Sequence, residues 1–160
     1  MQDLVEKLSA KMEALSLMLV TAESCTGGMI AAAMTDRAGS SSVFERGFVT
    51  YSNDAKKEEL GVLRETLVEH GAVSPQVALE MVKGALVHSR AEIAVSVTGI
   101  AGPSGGTDEK PVGLVYIAFG DKGGTREVRE HRFDGDRASV RQQTLEAALK
   151  HVLDFVSNLS

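Results

Sequence analysis

The stretch "LMLVTAESCTGGMIAAAMT", Leu17 to Thr35, restricts the fold more than any other part of the chain. "LMLVTAE" is short, apolar and free of glycine or proline, and it reads as a buried strand. Its apolar character stops at "SCTGG", where the glycine pair makes a turn. "MIAAAMT" then has the small, unbranched side chains of a helix packed tightly on a sheet. The result is a strand, a turn and a helix.

The rest of the chain repeats the alternation. Leu4, Val5, Leu8, Met12 and Leu15 recur at helical spacing and predict an amphipathic helix over 2–16. After the polar loop "DRAGSSS", "VFERGFVTYS" predicts a second strand. "NDAKKEELG" predicts a short helix with Asn53 or Asp54 as its cap and Gly61 as its stop. "LRETLVEHG" predicts another, also ended by glycine. Ser74 and Pro75 have the signature of an N-cap followed by proline at the first helical position, opening a helix to about Ser89. Val77, Met81, Ala85 and His88 are expected on one of its faces. "AEIAVSVTG" is a third strand, and "VGLVYIAFG" and "REVREHRF" form a hairpin around "DKGG". A last helix is predicted from Asp136, with Leu145, Ala148, Leu149, Val152 and Val156 as its apolar stripe. The fold class that follows is α/β: a three-layer α/β/α sandwich on a mixed, mostly parallel sheet of about five strands.

Size and charge narrow the function. A chain of 160 residues with 43% hydrophobic residues suits one domain, 1–160, with a sizeable core. A formal net charge of -5 argues against general nucleic-acid binding, which needs clustered Lys and Arg at the phosphates. No apolar run approaches the ~20 residues of a membrane span, and the N-terminus does not resemble a signal peptide, so a cytoplasmic location without membrane association is expected. The one cysteine, Cys25, cannot form an internal disulfide, and the four histidines make no close ligand pattern with it. No metal is expected, and the histidines read as core-edge or surface groups.

In open α/β sheets the ligand crevice lies beyond the C-terminal ends of the parallel strands. Three segments fall there: Glu23 to Gly28, Tyr51 to Lys56, and Thr98 to Gly106. On local pattern alone the first is a Ser/Thr-rich cap with glycines for a tight turn. As a functional turn it would offer Ser24 as nucleophile, with the amides of Cys25, Thr26 or Gly27 for an oxyanion. Cys25 reads as a small buried hydrophobe, because no histidine on these loops would serve a thiolate. Lys56 would serve Ser24 as base if burial brings its pKa down from ~10.4, and otherwise it is a solvated helix lysine beside Lys57, Glu58 and Glu59. Tyr51 would orient that lysine or relay a proton. Gly99, Gly102, Gly105 and Gly106 let backbone approach a ligand, without forming a Walker loop or dinucleotide fingerprint. Ser40, Ser41 and Ser42 would donate hydroxyls to phosphate or simply make a polar turn. Arg137 would pair with phosphate or lie on the surface near Asp134 and Asp136.

Taken in order, "AESCTGG", "AGSS", "GFVTYSNDAK", "LGV", "HGAVS", "TGIAGPSGG", "PVG" and "GDR" resemble the CinA C-terminal domain family from about Leu17 to Leu149. The resemblance implies a single amidase domain on an α/β/α sandwich. It implies the activity of the stand-alone members, nicotinamide mononucleotide deamidases, which turn nicotinamide mononucleotide and water into nicotinate mononucleotide and ammonia in pyridine nucleotide salvage. It further implies Ser24 as nucleophile, Lys56 as base and Tyr51 in support, with Thr98 and Arg137 at the substrate. Thr26, Gly27, Gly28, Ser41, Ser42, Gly99 and Gly102 complete the expected substrate contacts. No cofactor is implied, and a homo-oligomer acting on a small nucleotide is expected. Activities of the molybdopterin-binding-like domain of long members, such as ADP-ribose pyrophosphatase, are not expected. The alternative is a non-catalytic nucleotide-binding or protein-interaction module linked to competence or DNA damage.

Overall fold

The computed structural model describes residues 1–159. The elements run α1 (Gln2–Ala14), β1 (Leu19–Glu23), α2 (Met29–Thr35), β2 (Phe44–Val49), α3 (Asn53–Leu60), α4 (Arg64–His70), α5 (Pro75–Val87), β3 (Ile93–Gly99), β4 (Leu114–Asp121), β5 (Arg126–Arg132) and α6 (Arg137–Ser157), with a 3-10 turn at Ser40–Ser42. They form a three-layer α/β/α sandwich. The sheet order is β2-β1-β3-β4-β5. β1 pairs in parallel with β2 and β3, whereas β3–β4 and β4–β5 are antiparallel. Only β4 therefore runs against the other strands, and the sheet is mixed but mostly one-directional.

Side chains alternate across a strand with period two, and the two faces carry different sizes. Leu19, Ile93, Val95, Val97, Val115, Ile117 and Phe119 face a core shared with α1, α2 and α6. Val20, Ala94 and Ala118 face the core beneath α4 and α5. Small residues on that second face let α5 come close, and the Ser96 hydroxyl on the same face donates to Ala78 O of α5 at 2.7 Å. At Gly84 of α5 the approach is closer still: a methyl group there would overlap the Leu60 carbonyl at the end of α3. The position of α3, which carries Lys56, depends on that contact.

Two local expectations are corrected. The N-cap of α3 is Ser52, whose hydroxyl accepts from the Ala55 N–H at 3.0 Å, because the chain is still extended there; Asn53 and Asp54 already lie in the helix. His88 is exposed just past the end of α5, so it does not share the buried face of Val77, Met81 and Ala85. Ser74, by contrast, caps α5 as its spacing with Pro75 demands, with Val77 N–H donating to its hydroxyl.

β1 is followed in sequence by its neighbour β2 on one side, and the chain later crosses to β3 on the other side. The connections leave in opposite directions between β1 and β3, so a crevice opens where they diverge, at the C-terminal ends of those strands. The residue after β1 is Ser24.

Candidate active site

Ser24 lies at the floor of a cavity of about 270 Å³, lined also by Cys25, Tyr51, Lys56, Thr98, Gly99, Arg137 and the segment Ala72–Val73. The turn that holds it is tied down from three sides. Its N–H donates to Val97 O of β3, the Gly27 N–H donates to Ser24 O, and Met29 N–H donates to Thr26 O. Gly27 and Gly28 adopt positive φ values of 56° and 104°, which lets the chain reverse between strand and helix without the strain of a β-carbon.

Lys56 comes to Ser24 from α3. Its side chain is 2% exposed, and Nζ lies 3.0 Å from Ser24 Oγ and donates to Thr50 O at 2.9 Å. No carboxylate pairs with it among the described residues. Burial without a counter-charge therefore holds the Lys56 ammonium below the usual lysine range, with proximity to Cys25 opposing the effect. An amine that loses its proton readily beside a hydroxyl is a competent general base. Cys25 moves the other way: burial, above all, pushes its thiol up to about 11. Among its neighbours Arg141 and Lys56 oppose that rise, and Glu23 adds to it. A thiol held there is a poor source of thiolate at neutral pH.

The cavity wall comes from the loops after β2 and β3. Thr98 is buried, and its hydroxyl donates to Ala72 O at 2.8 Å, which fixes the Ala72–Val73 segment against β3. Gly99 and Gly102 lie on the loop beyond β3. At Gly99 a β-carbon would press on Val115 and the Leu114 carbonyl. Arg137, at the first turn of α6, donates to Gly102 O at 2.8 Å and to the Tyr51 hydroxyl at 2.7 Å. It bridges two loops at the mouth of the cavity.

Several expected roles are corrected by this geometry. Tyr51 makes no hydrogen bond to Lys56 among the described residues: it is 60% exposed at the rim and its hydroxyl accepts from Arg137, because the chain turns outward at the end of β2 before α3 turns Lys56 inward. The Thr26 side chain faces away from the cavity and donates to Glu23 Oε1 at 2.6 Å. The Gly27 amide is used within the turn, which leaves those of Cys25 and Thr26 without a carbonyl or carboxylate acceptor among the described residues. Ser41 and Ser42 precede β2 and so sit at the opposite end of the sheet, where Ser42 donates to Glu13 Oε1.

Three contributors carry little local signal. Glu23 is fully buried at the end of β1 and accepts from the Ile30 and Ala31 amides at 2.9 and 3.0 Å, capping α2 from the preceding strand. Thr50 supplies only a backbone carbonyl. Arg141 of α6 donates to Cys25 O and Thr26 O. Its spacing of four from Arg137 places both on one face of α6, a signal that the helical pattern contains.

Comparison with known proteins places these features in a lineage. The model of the CinA C-terminal domain matches residues 1–156. A protein of Escherichia coli (strain K12) named nicotinamide-nucleotide amidohydrolase PncC is 51% identical over 150 residues, covering 94% of this chain and 91% of that protein. A putative competence-damage inducible protein of Acetivibrio thermocellus is 52% identical over 144 residues, covering 90% of this chain but 35% of that longer protein. The crystal structure of competence/damage inducible protein CihA from Agrobacterium tumefaciens superposes with a TM-score of 0.93 at 51% identity, covering 96% of this chain and 93% of that one.

Proposed function

The chain belongs to the CinA C-terminal domain family, and from that premise we propose that it is a nicotinamide-nucleotide amidase that uses Ser24 and Lys56 to hydrolyse nicotinamide mononucleotide. The observation that carries the mechanism is the buried Lys56 amine, unpaired with any carboxylate among the described residues, 3.0 Å from Ser24 Oγ. A binding module has no use for a desolvated amine against a hydroxyl, whereas an amidase does.

In this reading neutral Lys56 takes the Ser24 proton as Oγ bonds to the carboxamide carbon. The carbonyl electrons move onto oxygen, which the Cys25 and Thr26 amides receive. Lys56 then passes the proton to the amide nitrogen, the C–N bond breaks and ammonia leaves. Water, deprotonated by the same amine, attacks the ester. Collapse of the second tetrahedral intermediate returns Ser24 and releases nicotinate mononucleotide. Thr50 O holds one Lys56 N–H and so orients the remaining lone pair towards Ser24.

The phosphate is proposed to meet Arg137, exchanging one of its two present acceptors for phosphate oxygen, with the Gly99 to Gly106 loop alongside. Binding remote from the amide then serves to position it. A cavity of about 270 Å³ lies at the small end of the roughly 300–1,000 Å³ typical of ligand pockets, which suits a mononucleotide better than a dinucleotide. A cytoplasmic site of action and assembly as a homo-oligomer belong to the same proposal. The edge strands β2 and β5, each with one strand neighbour among the described residues, and the exposed Val49, Leu63, Val68 and Val87 side chains support assembly.

Ammonia release from nicotinamide mononucleotide tests the reading. Wild type turns over, while Ser24→Ala loses roughly 10⁴-fold or more in kcat with its fold intact. Undiminished turnover by that variant overturns the assignment, and a wild type without turnover favours a binding module.

A further inference from the structure

Arg141 sits one turn along α6 from Arg137, behind the Ser24 turn rather than at its mouth. Its Nε donates to Cys25 O at 3.1 Å and its Nη2 to Thr26 O at 3.2 Å. A peptide unit is planar and trans, so its N–H points opposite its C=O. Drawing Cys25 O towards α6 therefore turns the Thr26 N–H away from α6. Drawing Thr26 O the same way turns the Gly27 N–H, which donates to Ser24 O at 3.0 Å and closes the turn. The Thr26 N–H, two residues along the turn from the nucleophile, has no carbonyl or carboxylate acceptor among the described residues and so remains a donor that the turn itself does not use. A cation on the carbonyl oxygen also polarises the amide and strengthens its N–H as a donor.

We infer that Arg141 is a positioning residue that builds the oxyanion-binding amide of Thr26 through its hold on the Cys25 and Thr26 carbonyls. The inference rests on the reading of Ser24 as nucleophile. The guanidinium fork spans both carbonyls, whereas the single ammonium of a lysine would hold one of them.

The experiment compares wild type, Arg141→Met and Arg141→Lys after their folded fractions have been matched by thermal melting. For Arg141→Met kcat falls about 100-fold on nicotinamide mononucleotide with KM within about twofold, the signature of lost oxyanion stabilisation, and Arg141→Lys recovers about tenfold of that loss. The pH at which kcat rises is unchanged, because the base is untouched. Unchanged kcat, a rise in KM alone, or a shifted pH profile overturns the inference. A second readout does not depend on the substrate: an alkyl fluorophosphonate labels Ser24 when Oγ bonds phosphorus and fluoride leaves, with the phosphoryl oxygen at the same amide. Labelling at least tenfold slower in Arg141→Met supports the inference even if nicotinamide mononucleotide is not the substrate, while equal labelling rates overturn it. A wild-type Ser24 that takes no label overturns both it and the nucleophile assignment.

Discussion

Ser24 and Cys25 are adjacent, yet their surroundings separate them. The buried Lys56 amine reaches the Ser24 hydroxyl, while burial drives the Cys25 thiol to about 11. Cys25→Ala is accordingly expected to keep kcat within about twofold, since a small buried group is replaced by a smaller one and no reacting atom is lost. Steady-state ammonia release checks it. Lys56 gives a pH signature. Its folded pKa is lowered, so kcat/KM rises as pH climbs through that lowered value, and Lys56→Met abolishes both the rise and most of the turnover. Stability follows the same group: between the lowered folded value and ~10.4 the unfolded chain still holds the proton, so unfolding free energy gains from rising pH across that window. Urea titrations of wild type and Lys56→Met at several pH values measure the difference. Ser24, Lys56 and Thr98 are legible as candidates because loops after strands are where α/β sheets place ligands, and Arg137 because a guanidinium at the start of the last helix suits phosphate. What separated Tyr51 from Lys56, and Thr26 from the cavity, was side-chain direction, which spacing along the chain does not encode.

At the scale of elements, each segment that forms the site is held by a contact from a neighbouring element. Glu23 caps α2 from the end of β1, Thr98 ties β3 to Ala72, and Arg137 joins α6 to the loops after β2 and β3. α3 depends on Gly84 of α5, where a β-carbon would strike the Leu60 carbonyl. Gly84→Ala is expected to cost about 2–3 kcal/mol through overpacking and to lower kcat more than KM rises, by shifting Lys56 from Ser24. Chemical denaturation and steady-state kinetics test the two halves separately. The strand and helix periods were legible because burial imposes them: the stripe Leu145, Ala148, Leu149, Val152 and Val156 is buried along α6. The cap of α3 lies one or two residues before the expected Asn53 or Asp54 because Ser52, Asn53 and Asp54 are all good caps, and only backbone geometry chooses among them.

At the scale of the molecule, the reversal of connections at β1 and β3 places the nucleophile turn, the glycine-rich loop and the Lys56 helix around one crevice. The far side of the sheet carries a different chemistry. His131 of β5 and His151 of α6 meet Nε2 to Nε2 at 2.8 Å, flanked by Phe133 and Phe119. Burial foremost, and Arg129 besides, hold both below the usual histidine range; His131 also depresses His151, which Asp154 and Glu127 oppose. The unfolded chain takes up these protons first as pH falls through ~6.5, so the native state loses stability from there down to the lowered folded values. Melting temperature across that range is expected to fall in wild type and to fall less in His151→Leu. The sequence marks these histidines only as core-edge or surface groups, since a strand residue and a helix residue twenty positions apart meet there through tertiary packing alone.

The central claim is a covalent ester at Ser24, and interception by hydroxylamine during turnover of nicotinamide mononucleotide tests it most directly. The account predicts that wild type forms the hydroxamate of nicotinate mononucleotide at the expense of the acid, and that Ser24→Ala forms neither. Turnover that yields acid but no hydroxamate, or hydroxamate formed equally by Ser24→Ala, would contradict it.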